Sequence, residues 1–358
     1  MLIGKIKFIS FHCNTLGVNT LSVAAKINQT KNNQSSLQPL INLTQHDMEQ
    51  VNQLILSMAK SEVEMIPEIS NHLITSGGKR LRPMITLASA HMFDYQGDGH
   101  IKLATAVEFM HTATLLHDDV IDESNLRRGK STARMIWGNQ ASVLVGDFLL
   151  GQAFKMMVEV GSIKALSVLA NAAAIIAEGE VMQLSAAKNI ETCVSNYLKI
   201  INAKTAALFS AAAEVGPIIA GYKEKERSVL REYGTLLGLA FQLIDDALDY
   251  SGTAQHLGKN IGDDFREGKI TMPVILAYAR SNTVEKAFWK HALEDGNSND
   301  EAFAHAQHLV EKYGSITDTI EQARIYGKRA IDALTSIKKS PARNALIETV
   351  DFCIARVN

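Results

Sequence analysis

The sequence predicts an all-α protein organised as one large helical domain. Three observations carry that expectation. Only 6 of the 358 residues are proline. Alanine, leucine and isoleucine dominate the apolar content, and long stretches carry apolar residues at helical spacing without turn signals. At 46% hydrophobic residues the chain is ample for a large core. Length alone would allow two or three domains of average size, but no linker-like stretch divides it. A single domain is expected over residues 43–358, preceded by an extension over residues 1–42.

From Asn42 onward helix follows helix. Met48, Val51, Leu54, Ile55 and Met58 repeat at helical spacing within one expected helix, Asp47 to Ser76, which Gly77 and Gly78 end. The next should start near Arg82 and Pro83, since proline suits a first turn. A third begins after Gly99 and runs through HTATLLHDDVID; the polar SNLRRGKST reads as a loop. Further helices are expected in ASVLVGDFLLGQAFKMMVEV, from Ile163, from Asn196 through Ala213, and from Lys223 to Tyr250. SGTAQHLGKNIGDDFREGKIT is a long polar loop, and the remainder is helical with a turn at residues 297–299. No short-period repeat appears, so one large domain fits better than a solenoid.

A net charge of −2 gives no reason to expect a nucleic-acid partner. The three cysteines, Cys13, Cys193 and Cys353, are spaced for neither a disulfide framework nor a zinc site. A reducing compartment follows, and the cytoplasm is the expected location. No transmembrane segment is expected: the most apolar stretch, ALSVLANAAAIIA from Ala165, contains Ser167 and Asn171 and falls short of the roughly 20 apolar residues of a span. Residues 1–38 contain no acidic residue and no arginine. Their lysine, serine and asparagine content leaves two readings open, a disordered extension or a mitochondrial presequence.

The chemistry is concentrated in two copies of D-D-x-x-D. LLHDDVIDE holds Asp118, Asp119 and Asp122; FQLIDDALDY holds Asp245, Asp246 and Asp249. Positions i and i+4 share a helix face, so Asp118 aligns with Asp122 and Asp245 with Asp249. Each cluster follows an apolar run, where stacked carboxylates are unfavourable unless neutralised. Magnesium, a hard ion that keeps room for water and phosphate oxygens, is the natural neutraliser. A lone D-D-x-x-D is often a solvated helix face, but two within apolar helices argue otherwise. An EF-hand is excluded, since its glycine and terminal glutamate are missing.

Basic groups lie around these acids. GGKRLRP sets Lys79 and Arg82 beside a predicted helix N-terminus, where free N–H groups favour an anion. Arg127 and Arg128 follow the first cluster, and His111 precedes Asp118 by two turns on the same face. Lys204 and Thr205 form a basic-polar pair; Lys259 and Lys269 lie in and just after the long loop. Any one lysine reads as a solvated charge, and a lone histidine as a core residue. Together with the acids they suit two diphosphates.

GGKRLRP, HDDVIDESNLRRG, FQLIDDALDY and GDDFREGKITMP resemble the trans-isoprenyl diphosphate synthases, above all the octaprenyl and other long-chain polyprenyl types. The likeness runs from Leu43 to the C-terminus, with the four motifs in the family's order. It implies an orthogonal bundle of helices around a deep central cavity, a homodimer, and magnesium bound by Asp118, Asp119, Asp122, Asp245 and Asp249. It further implies an isopentenyl diphosphate site at Lys79, Arg82, His111 and Arg128. Arg127, Lys204, Thr205, Gln242, Lys259 and Lys269 match positions around the allylic diphosphate.

The implied reaction breaks the allylic carbon–oxygen bond, with Lys204 and Lys269 adding fixed positive charge at the departing oxygens. The isopentenyl double bond attacks and a proton is lost. The product is again allylic and can re-enter, serving an isoprenoid quinone such as ubiquinone through enzymes of the membrane. Ala113 and Thr114 are small and leave a path for the growing chain, with Val107, Met110, Met156 and Met157 deeper. Eight units need on the order of 40 Å, the length of about 26 helical residues, so an octaprenyl product is expected. Two alternatives are a terpene cyclase, which would carry a different second metal motif, and a non-catalytic subunit, which would show damaged motifs.

Overall fold

A computed structural model describes residues 36–75, 77–251 and 261–357. The first 35 residues, Ser76, the segment 252–260 that contains Lys259, and Asn358 lie outside the described residues. The helices are α1 (Gln38–Met58), α2 (Met65–Thr75), α3 (Leu81–Met92), α4 (Gly99–Ile121), α5 (Ala133–Trp137), α6 (Asn139–Glu159), α7 (Ile163–Ala186) and α8 (Val194–Ile201). A π-turn over Asn202–Ala206 leads into α9 (Ala207–Ile219). Then come α10 (Glu224–Ser251), α11 (Asp263–Arg266), α12 (Met272–Arg280), α13 (Thr283–Trp289), α14 (Asp300–Lys312), α15 (Ser315–Ala333) and α16 (Pro341–Ile354). Among the described residues the sole sheet is a hairpin pairing Leu126–Arg127 with Lys130–Ser131.

Local chemistry sets many of these boundaries. Ser162, Asn299 and Ser340 accept backbone N–H groups at the starts of α7, α14 and α16. Asn282 and Glu285 form a reciprocal capping box on α13, and Pro39 and Pro341 open their helices. Two expectations are corrected. Helix α1 begins at Gln38, so residues 38–42 belong to the fold, with Leu40 only 1% exposed. The helix expected from Asp47 to Ser76 is broken between Met58 and Met65 into α1 and α2.

Two helices organise the rest. α4 is buried on most sides by Leu103, Val107, Phe109, Met110, Ala113 and Leu116, and packs along α6 and α3. α10 packs along α15 and α9. One apolar cluster surrounds α4, α6 and α7; a second surrounds the C-terminal half of α10 with Tyr197, Phe265 and Trp289; a third joins α1, α3 and α16 through Ile85, Phe209 and Tyr233. Glycines permit the closest approaches. A Cβ on Gly238 of α10 would lie 2.5 Å from the Ala206 Cα, and one on Gly179 of α7 would lie 2.7 Å from the Ala203 Cβ. The π-turn is thereby wedged between α7 and α10.

By length and composition α6 and α7 are each apolar enough to cross a membrane, which departs from the expectation of no such segment. The expectation counted uninterrupted apolar residues, whereas over a whole helix Asn171 or Gln152 is diluted by its neighbours. Within the fold 44% of the apolar window of α6 and 28% of that of α7 are buried. Val143, Leu144, Val158, Ile163, Val181 and Leu184 remain exposed.

Gly238→Ala should force backbone apart at Ala206 and destabilise the protein by about 1–3 kcal/mol, the range for overpacking. Thermal unfolding checks this; an unchanged midpoint would show that the π-turn yields freely.

Candidate active site

α4 and α10 deliver the two acid clusters to a single cavity of about 800 Å³, which Asp118, Asp122, Asp245, Asp246 and Asp249 all line. Asp118 lies in the last turn of α4 and Asp122 caps it, their backbones joined by a 2.8 Å hydrogen bond. Asp119, about 100° further round the helix than Asp118, is fully buried and faces a small adjoining pocket instead. Arg127 donates to its Oδ1 from Nε at 2.8 Å and lies within 2.7 Å through Nη2. Asp119 thus holds Arg127 rather than joining the carboxylates that face the cavity.

On α10, Asp245 pairs with Arg356 at 2.6 Å. Asp246 accepts from the Tyr197 hydroxyl at 2.5 Å and from the Gln242 amide at 2.7 Å. Asp249 accepts the backbone N–H groups of Gly262 and Asp264, both at 3.2 Å, so it also anchors the start of α11.

The basic residues are placed as separate groups. Lys204 sits in the π-turn, 2.6 Å from Glu180 and donating to Gln183 at 2.9 Å. Thr205 donates to Gln242 at 2.7 Å, which continues the chain to Asp246. The wide turn, a form common at functional sites, points these consecutive residues at opposite walls, α7 and α10. Lys269 bonds Asp122 at 2.8 Å and Glu267 at 2.5 Å. Burial opposes its charge, but Asp264, Asp122 and Glu267 hold the ammonium above the usual lysine range.

A second cationic group forms around the start of α3. Arg82 Nη1 lies 3.3 Å from His111 Nε2, and its guanidinium lies 4.2 Å from the Phe209 ring centre. Burial lowers Arg82 to about 10. Burial, then Arg82, Arg128 and Arg127, push His111 well below its usual value. His111 is therefore neutral and accepts from Arg82; the charge belongs to Lys79, Arg82 and Arg128. Gly78, with φ of 136°, leaves the space that Arg128 uses: a Cβ there would lie 2.6 Å from the Arg128 Nη1. Lys79, Arg82, His111 and Arg128 line the same cavity as the acids.

Several lining residues carried no sequence signal as members of the site. Glu108 lies three residues before His111 and 4.0 Å from Arg80. Glu180 and Gln183 interrupt the apolar α7, Tyr197 reads as core, and Arg356 falls after α16. The depth expectation is divided. Thr114 lines the cavity, whereas Ala113 and Met157 lie in the apolar core, 2% and 0% exposed, with Val107, Met110 and Met156.

The acids are under-neutralised as they stand. Burial and then Glu180 raise Asp118 to about 7, and burial and then Asp264 raise Asp246 to about 8. Hard-oxygen donors crowded in this way fit a divalent cation. The cavity thus brings an acidic, metal-suited face and a separate cationic pocket together.

The chain matches the polyprenyl synthetase family over residues 63–310 and belongs to it. It is 42% identical over 328 residues to the octaprenyl diphosphate synthase of Escherichia coli, covering 90% of this chain and 99% of that one. The structure superposes with a TM-score of 0.88 on a polyprenyl synthase from Caulobacter crescentus complexed with calcium and isoprenyl diphosphate, 48% identical and covering 91% of this chain and 99% of that one. A decaprenyl diphosphate synthase from Rhodobacter capsulatus gives 0.86 at 48% identity, covering 90% and 100%. The all-α isoprenoid-synthase fold and the prenyltransferase class expected from the motifs are thereby met.

Raised carboxyl values fix the sign of a pH effect. A folded-state value above the unfolded one favours the protonated form, so this contribution to stability falls as pH rises from about 4 towards 7 to 8. A divalent cation needs the ionised form and displaces the proton. Magnesium titrations in buffers of different ionisation enthalpy should show proton release at pH 6 that fades by pH 9. Release independent of pH would contradict the protonated acids.

Proposed function

We propose that the protein is a long-chain all-trans polyprenyl diphosphate synthase whose product is octaprenyl diphosphate. It extends an allylic diphosphate such as farnesyl diphosphate by successive isopentenyl units. The observation that carries this reading is the meeting of two D-D-x-x-D clusters and a separate cationic pocket in one cavity. Identity to an octaprenyl synthase supports the product length.

Lys79, Arg82 and Arg128 bind the isopentenyl diphosphate, and neutral His111 orients Arg82. Asp118, Asp122, Asp245 and Asp249 would hold magnesium, with Asp119 acting through Arg127. Bound there, magnesium would supply Lewis-acid charge to a leaving diphosphate. Lys204 and Lys269, each anchored by carboxylates, add fixed positive charge there. Arg127, Thr205 and Gln242 complete the allylic site. The carbon–oxygen bond breaks with its electron pair on the diphosphate. The isopentenyl double bond forms the new carbon–carbon bond, and the departing diphosphate takes the proton.

We assign the exposed apolar residues of α6 and α7 to the contact between two copies in a homodimer. α7 also carries Glu180 and Gln183 into the cavity, which suits a wall of the site better than a lipid-embedded span. The product, carried to membrane enzymes, would supply the side chain of a quinone such as ubiquinone. Free Cys193 and Cys353 support a reducing location, the cytoplasm. Processing of the mature chain near Ser36 would favour the mitochondrion instead, and would leave α1 whole.

Radiolabelled isopentenyl diphosphate with farnesyl diphosphate and magnesium, followed by product-length analysis, tests the reading directly. Asp118→Asn or Asp245→Asn should lower turnover by about 100-fold or more, the scale of lost electrostatic groups. Near-normal turnover at saturating magnesium would overturn the assignment.

Thr114→Phe, at the small residue of α4 that lines the cavity, should shorten the product to three or four units with catalysis retained. Wild-type length in that variant would show that the chain does not pass this face of α4.

A further inference from the structure

Far from the cavity, three helices bring together side chains that the proposed reaction does not use. Asp47 lies on α1, His91 in the last turn of α3 and His100 in the first turn of α4. His100 precedes Asp118 by 18 positions, about 27 Å along the helix. One ligand atom from each lies within 4.8 Å of the others. Asp47 Oδ2 is 2.6 Å from His91 Nε2 and 3.2 Å from His100 Nε2.

Asp47 is buried, and among the described residues its ion pairs are with these two histidines, not with lysine or arginine. The cluster thus sets a buried carboxylate against two imidazoles, a donor set that suits a cation. His100 is 9% exposed, and its Nδ1 is buried without a hydrogen-bond partner. The ring's polar hold is thus through Nε2 alone, which faces Asp47. His91, with a third of its side chain exposed, opens the cluster to solvent.

We propose that Asp47, His91 and His100 form a second metal site that takes a nitrogen-binding transition ion such as zinc. Two imidazoles and a carboxylate are zinc donors, whereas magnesium prefers oxygen. Bonds of about 2.0–2.1 Å in tetrahedral geometry place donors about 3.3 Å apart, close to the 3.2 Å carboxylate–imidazole distance to His100 and longer than the 2.6 Å distance to His91. Solvent beside His91 completes the shell. The ion would tie α1 to the ends of α3 and α4 opposite those that carry Arg82 and Asp118, so its effect is on stability rather than turnover.

The test is cobalt and zinc binding to the full chain under excess magnesium, which occupies the aspartate clusters. We expect one equivalent of cobalt with visible d–d absorption and zinc competing for it. Zinc at 100 times its dissociation constant should raise the melting midpoint by several degrees. Asp245→Asn should keep the cobalt signal. His91→Gln, at a partly exposed position, and Asp47→Asn, nearly isosteric, should each lose it. Failure of the wild type to bind cobalt, or an unchanged signal in both His91→Gln and Asp47→Asn, would overturn the proposal.

Discussion

Everything in the fold answers to the difficulty of holding carboxylates inside an apolar bundle. Asp118 and Asp246 are pushed towards neutrality by burial, and each neighbour offers a different compensation. Arg127 answers Asp119, Arg356 answers Asp245, Lys269 answers Asp122, and backbone N–H groups answer Asp249. None of these compensations is an apolar contact, yet each relies on apolar packing to be held in place. α4 and α10 are the two most enclosed long helices because they must present these acids at fixed positions.

The cationic pocket shows the same economy with the opposite sign. Arg82 and Arg128 lie close enough to repel, Lys79 is opposed by Arg356, and burial with the nearby arginines keeps His111 neutral. Glu108 and the Phe209 face temper the charge without cancelling it. A pocket so arranged favours a dianion over water. In the proposed reaction, the spacing between this pocket and the acid clusters would keep two diphosphates from competing for one place.

Much of this was legible in the sequence because it depends on spacing. The i, i+4 acids and the proline and glycines around α3 all have local causes. The break was signalled by Pro67 in the first turn of α2, which has no N–H to donate to Val63, but its place at residues 59–64 was not legible, since AKSEVE itself contains helix formers and tertiary packing decides where the turn falls. The same holds for Glu180, Tyr197 and Arg356, single polar residues whose partners lie far along the chain. Ala113 was read as path-lining from its small size and its place just before Asp118, and Met157 as lining deeper along the path; neither shows how far an opening extends.

The π-turn at residues 202–206 has a consequence for how such chains are compared. It works as a phase shifter between α8 and α9, because a wider turn changes the rotation of every residue that follows. Loss of one residue there would leave both helices, every motif and nearly the whole identity score untouched. It would nonetheless swing Lys204 by about 100° away from Glu180. Spacing across this turn is therefore a separate inherited character, and an alignment gap at residues 202–206 says more about the site than a substitution beside it.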